Sequence, residues 1–266
     1  MMPFHINNWN EVSRHYTGAL LLGNGASRAV DDRFDYGSLV QHAFDHGLLA
    51  GDVQNLFRFF QTEDFELVLR LVWQASNVNK SLNIPDNQTH NAYVRVRDTL
   101  IQAVRDVHPE YQDVSVKIPI IYEFVKRFDT VISLNYDLIL YWAVMYGLDI
   151  QDRCSLKDCF VQGVFDEDWR RLRQPINGNN SVTLAFYPHG SLVLARNLVE
   201  SEFKLTGNGI GLLEAILQGW ETEQYVPLFV SEGTAQQKIK SIHGSSYLST
   251  IYREVLTSTQ SLKYIG

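Results

Sequence analysis

The chain has 266 residues, 45% of them hydrophobic and 20% charged, which excludes wholesale disorder and supplies material for a sizeable core. Its net charge of −7 excludes a general nucleic-acid binder, which presents a basic face, so no direct nucleic-acid binding is expected. Two cysteines, Cys154 and Cys159, are too few for a disulfide framework or a complete zinc site, so a reducing compartment and no metal are expected.

The first sixteen residues, MMPFHINNWNEVSRHY, lack the basic and apolar regions of a signal peptide. The longest apolar runs, such as Ala19 to Leu22 and Leu138 to Met145, fall well short of a membrane span. A cytoplasmic protein with no membrane partner is expected.

Along the chain, Ala19 to Leu22 reads as a short strand that meets a glycine turn, Gly23-Asn24-Gly25-Ala26-Ser27, opening a helix. From about 37 to 115 the spacing becomes helical. Leu39, Ala43 and Phe44 share one face, Leu56, Phe59 and Phe60 repeat the spacing, and Phe65, Val68, Leu69 and Val72 follow it again. The polar segment 77–90 reads as a loop, and a further helix is expected around Tyr93 to Val107. The whole stretch reads as a helical insertion after the first strand. Its aromatics Phe57, Phe59, Phe60 and Trp73 suit either the core or self-association.

Asp129 to Leu134 is a second strand, ending in Asn135-Tyr136-Asp137 and running into an apolar helix. Residues 151–181 read as a loop-rich connection anchored by Phe165 and Trp169. Val182 to Tyr187 is a third strand, ending in Pro188-His189-Gly190. Val226 to Val230 is a fourth, ending in Ser231-Glu232-Gly233-Thr234, and a helix from about Tyr247 to Thr257 comes last. Strands alternating with helices predict an α/β fold: a Rossmann-like, mostly parallel sheet with helices on both faces, in one domain over 1–266.

All four strands end in small or polar residues, and the C-terminal strand ends of an open parallel sheet border the ligand crevice. Taken singly, each ending has an ordinary structural reading. The glycine turn suits a phosphate but also a bare strand-to-helix turn, since the full GxGxxG spacing is absent. Asn135 and Asp137 suit a helix cap. His189 reads as a satisfied structural histidine, and Glu232 as a solvated loop carboxylate. His243, also followed by glycine, is assigned to a surface turn.

In their order these segments resemble the sirtuin-like family, specifically its bacterial NAD-hydrolysing, anti-phage branch. The resemblance rests on a GAGAS-type turn (Gly23 to Ser27), an Asn-x-Asp strand end (Asn135 to Asp137) and a His-Gly strand end (His189-Gly190). Two longer stretches add to it: Thr62 to Leu69, and the segment PLFVSEGTAQQKIKSIHGSSYL. It departs in three places. Asn24 replaces an alanine of the turn, the four-cysteine zinc module of the protein deacetylases is missing, and the chain ends at SLKYIG where the family continues with a glycine- and serine-rich strand end. The second departure argues against a deacylase, and the third implies a truncated chain or a shortened variant.

The resemblance implies cleavage of the nicotinamide–ribose bond of NAD, in which the pyridinium leaves as a neutral base through an oxocarbenium-like transition state. Asn135 and His189 would be catalytic, the first orienting water and ribose hydroxyls and the second acting as general base. Gly23, Asn24, Gly25, Ala26 and Ser27 would hold the pyrophosphate, with Asp137 and Glu232 completing the NAD site. NAD would be substrate rather than resident cofactor. A homo-oligomer or an activating partner in defence is expected, and the alternative is a non-catalytic NAD- or ADP-ribose-binding module that regulates a partner.

Overall fold

The computed structural model describes residue 11 and residues 13–175, 178–207, 210–230, 234–259 and 262–265. β1 (Ala19–Leu22), β2 (Thr130–Ser133), β3 (Cys154–Lys157) and β6 (Ser181–Phe186) form a parallel sheet in the order β1-β2-β6-β3, and β10 (Leu262–Ile265) joins it on the free side of β1. Val131, Ile132, Leu184 and Ala185 are fully buried, as expected of strands covered on both faces. The fold is Rossmann-like α/β.

Register decides which strand ends meet. Leu22 lies opposite Ser133 and Ile132 opposite Phe186. The glycine turn, Asn135 to Asp137 and Tyr187 to Gly190 therefore all leave the same edge of the sheet. The chain departs from β1 toward β2 while β10 lies on the other side, which makes this edge a topological switch point.

Between β1 and β2 the helical insertion is present. α1 (Asn24–Arg28) follows the turn directly, and α2 (Leu39–Asp45), α3 (Gly51–Phe60), α4 (Phe65–Ser81), α5 (Asn87–Val107) and α6 (Tyr111–Val114) come next. α7 (Ile118–Val125) then leads into β2 and packs against α8 (Ile139–Asp149), which follows it. The loop expected over 77–90 shrinks to 82–86: α4 runs to Ser81, and α5 starts at Asn87 under an Asp86 cap that accepts from the amides of Gln88 and Thr89. The pairing of α4 with α5 buries Val72, Trp73, Tyr93 and Val96, and this tertiary burial outweighs the weak helix propensity of the Asn- and Ser-rich end. Phe57 and Trp73 belong to the core, while Phe59 is 79% exposed.

The fourth expected strand lies elsewhere. β7 (Gly190–Arg196), β8 (Glu202–Lys204) and β9 (Val226–Phe229) form a separate antiparallel sheet in the order β8-β7-β9. Only three residues link β6 to β7, far fewer than a parallel crossover needs, so β7 leaves the main sheet and β9 pairs with it. Residues 151–181 likewise hold more than loop, namely β3 and the hairpin β4 (Phe160–Val161) with β5 (Val164–Phe165). After α9 (Leu212–Glu221) and β9 comes α10 (Ala235–His243). α11 (Ser246–Thr250) then continues through a π-helical turn, Ile251–Val255, into α12 (Leu256–Ser258). No helix among the described residues is long and apolar enough to cross a membrane.

Candidate functional site

Asn135 is the hub of the switch-point edge. Its amide nitrogen donates to the Gly23 carbonyl at 2.8 Å and to the Ser27 hydroxyl at 2.6 Å. Because a carbonyl only accepts, the Gly23 contact fixes which end of the amide is nitrogen. Both amide protons are thereby used, and Oδ1 is the end of the side chain left to accept a hydrogen bond from a ligand.

The Ser27 hydroxyl passes the chain on by donating to Oδ2 of Asp137, whose Oδ1 accepts from the Ile139 amide at 2.9 Å. Asp137 is 5% exposed. Burial raises its carboxyl above the usual range, against the lowering effect of the Ser27 and Ile139 hydrogen bonds. One chain of hydrogen bonds thus ties the glycine turn to the end of β2 and to the first amide of α8. The N-cap position of α8 is Leu138, and Asp137, one residue before it, accepts the first helical amide while also lining the cleft. With the Ser27 hydroxyl taken, the turn can offer an anion its backbone amides, since the first turn of a helix leaves N–H groups without intrahelical partners.

The cleft itself encloses about 270 Å³, lined by Gly23, Asn24, Phe34, Tyr36, Leu134, Asn135, Tyr136, Asp137, His189 and Lys238 among others. The Asn24 side chain donates to the Phe34 carbonyl at 3.3 Å, pinning the loop that forms one wall. The Tyr36 hydroxyl meets that of Tyr136, and the Tyr136 ring stacks on Phe229 at 4.7 Å. A second, apolar cavity of about 430 Å³ lies beyond the hydrogen-bonded chain, between α1, α7 and α8, and shares Ser27, Asn135 and Asp137 as a wall.

His189 is half-buried at the β6–β7 turn. Its Nδ1 lies 3.2 Å from the Leu134 carbonyl and its Nε2 3.0 Å from the Tyr252 hydroxyl. Burial first, and the nearby Lys238 charge second, pull its pKa down to about 4, so the ring is neutral at pH 7. The carbonyl requires a proton on Nδ1; Nε2 therefore carries the lone pair and accepts from Tyr252. This is the tautomer a general base needs.

Asn135, Asp137, His189, Gly23 and Asn24 thus converge on one cleft, while Ala26 and Ser27 face the apolar cavity. Gly25 lies within α1. Glu232 lies outside the described residues. His243 is the exposed last residue of α10 rather than part of a turn. The two cysteines play no part in the site: Cys159 is buried, its thiol pushed up to about 12, and Cys154 lies in β3. Among the described residues no cluster of three or more His, Cys, Asp or Glu could hold a metal.

Sequence reading missed Tyr252, Lys238 and Tyr36. Tyr252 lies 63 residues from His189 and has no linear signal. For Lys238 a signal existed: Thr234-Ala235-Gln236-Gln237 is a capping box, with the Thr234 hydroxyl accepting from the Gln237 amide and the Gln237 side chain accepting from the Thr234 amide. It marks the start of α10 and places Lys238 in its first turns. A family profile described as a domain of unknown function (DUF4917) matches residues 20–265. No curated protein matches the chain.

Proposed function

The chain belongs to the DUF4917 family, and from the cleft at its sheet edge we propose that it is an NAD⁺ glycohydrolase, cleaving the bond between nicotinamide and ribose. The observation that carries the reading is the meeting of three strand-end segments at a topological switch point. There Asn135 Oδ1 is left to accept from a ligand and a neutral His189 faces the same cleft. The order of those segments is what the sirtuin-like resemblance rests on.

The chemistry asks for holding and exclusion more than for acid catalysis. The C1′–N bond breaks with its electron pair going to the pyridinium nitrogen, which leaves as neutral nicotinamide. Water adds at C1′, and its proton passes to a base or to solvent, giving ADP-ribose. Asn135 Oδ1 would accept from the attacking water or a ribose hydroxyl and so orient it. His189 Nε2 would take the proton, directly or through the Tyr252 hydroxyl that now occupies it.

The test is nicotinamide release from NAD by the purified chain beside Asn135→Ala and His189→Ala. Release by the wild type, abolished in both variants while each still unfolds cooperatively, is expected. Equal release by both variants would place the chemistry elsewhere. Tight binding of ADP-ribose without release would favour the regulatory-module reading, and the Tyr252 hydroxyl on Nε2 is the feature that would then explain a silent base.

A further inference from the structure

The cleft holds a cation that neither the fold nor the chemistry above employs. Asp137, the acidic residue lining it, is buried and turned to Ser27 and Ile139. His189 is neutral. Lys238 is therefore the charged group that the described lining offers to a ligand, in a chain whose net charge is −7.

Four other lysines are spent on protein oxygens. Lys117 donates to the Val30 carbonyl, Lys126 pairs with Asp152, Lys157 donates to the Leu172 carbonyl, and Lys204 pairs with Asp158. The Lys238 side chain has no hydrogen-bond or ion-pair partner among the described residues. It is half-buried, so its charge is partly desolvated, with no counter-ion among the described residues.

Its position is held, not incidental. Gln237 donates from its side chain to the Gln61 carbonyl, and the Ser241 hydroxyl donates to the buried Asp64 at 2.7 Å. These bonds, one residue before Lys238 and three after it, fasten α10 to the helical insertion. Lys238 also stands within a turn of the capped N-terminus of α10, the end at which the helix dipole disfavours a cation. Both effects reverse once an anion sits beside it.

We propose that Lys238 is the anion-binding residue of the cleft and holds the diphosphate of a nucleoside-diphosphate ribose beside the Gly23-Asn24 turn. The proposal rests on the reading of the cleft as an NAD site and names the group that recognises the ligand's charge. A compact ammonium suits a phosphate as a point charge. The backbone of Gly23 and Asn24, lining the same cleft, would allow close approach of the diphosphate.

The experiment is calorimetric titration of the wild type, Lys238→Ala, Lys238→Arg and Lys238→Glu with ADP-ribose and, as the uncharged comparator, adenosine. Loss of one charge-assisted contact predicts about 10- to 100-fold weaker ADP-ribose binding in Lys238→Ala. Lys238→Arg should recover most of it, Lys238→Glu should bind weakest, and adenosine affinity should follow none of these changes. The wild-type advantage should shrink as salt rises. With NAD as substrate, the loss should appear in KM rather than in kcat. Unchanged ADP-ribose affinity in Lys238→Ala, an equal loss for adenosine, or no ADP-ribose binding by the wild type would each overturn the proposal. Wild-type binding that depends on Lys238, without nicotinamide release, would sink the glycohydrolase reading and leave this one standing.

Discussion

At the residue scale the site depends on what each polar group has left after satisfying its neighbours. Asn135 spends both amide protons on Gly23 and Ser27, so replacing it removes two internal bonds together with the ligand-facing acceptor. Asn135→Ala should lower stability by about 1–3 kcal/mol, measured by denaturant midpoint, besides stopping turnover. His189 presents the opposite case, since its Nε2 lone pair is covered by Tyr252 at 3.0 Å, the two rings lying nearly parallel at 15°. Tyr252 sits in the π-helical turn, a distortion often found at functional sites. If its hydroxyl holds or relays for the base, Tyr252→Phe should lower kcat about tenfold and leave KM within about twofold. A rise in kcat would instead mean that the hydroxyl occludes the base.

At the element scale the decisive joint is the one between the two sheets. Gly190 opens β7 at a φ of +76°, and a Cβ there would lie 2.2 Å from the Leu228 carbonyl oxygen and 2.5 Å from the Phe229 Cα. Both are backbone atoms of β9, so neither gives way without parting the strands. Gly190→Ala should therefore destabilise by at least about 3 kcal/mol, the overpacking cost added to a left-handed backbone. A thermal melt would show it, and a variant within about 1 kcal/mol of wild type would mean that the β7–β9 contact is looser than described. The His-Gly pair that looks like a functional signature thus has two duties: histidine faces the cleft and glycine lets β9 close against the turn behind it.

At the scale of the whole molecule, two neutral histidines clamp the segment that carries Asn135 and Asp137. His189 holds the Leu134 carbonyl from the β6–β7 turn. His108, at the end of the helical insertion, donates from Nδ1 to the Pro109 carbonyl and accepts the Leu138 amide on Nε2 at 3.1 Å. Burial pulls both pKa values down to about 4. In the unfolded chain each returns to about 6.5. The unfolded state therefore binds more protons between these values, and the stability each neutral ring supplies is complete above pH 6.5 and lost as pH falls toward 4. Asp137, whose pKa burial raises, works in the opposite sense. Unfolding free energy should be flat above about pH 6.5 and fall below it by up to about 2.7 kcal/mol per pH unit, less the Asp137 offset. Equilibrium unfolding across pH 4–8 checks this, and stability that stayed level down to pH 5 would contradict the clamp.

The sequence by itself determined the α/β class, the positions of β1, β2, β6 and β9 to within a residue, the helical insertion after β1, and five of the residues gathered at the cleft, Gly23, Asn24, Asn135, Asp137 and His189. It could do so because apolar runs, their polar ends and glycine turns are local patterns with their own periods. The start of α10 is also written locally, in the Thr234–Gln237 capping box. Only the tertiary structure decided which strands pair: β9 reads as well for one sheet as for the other, and the shortness of the β6–β7 link sent it to the antiparallel one. The same holds for β3 and β10, whose short segments gain strand geometry from a partner's ladder. The pairing of His189 with Tyr252 and the entry of Lys238 into the cleft are contacts between distant segments, fixed by packing, and no spacing along the chain encodes them.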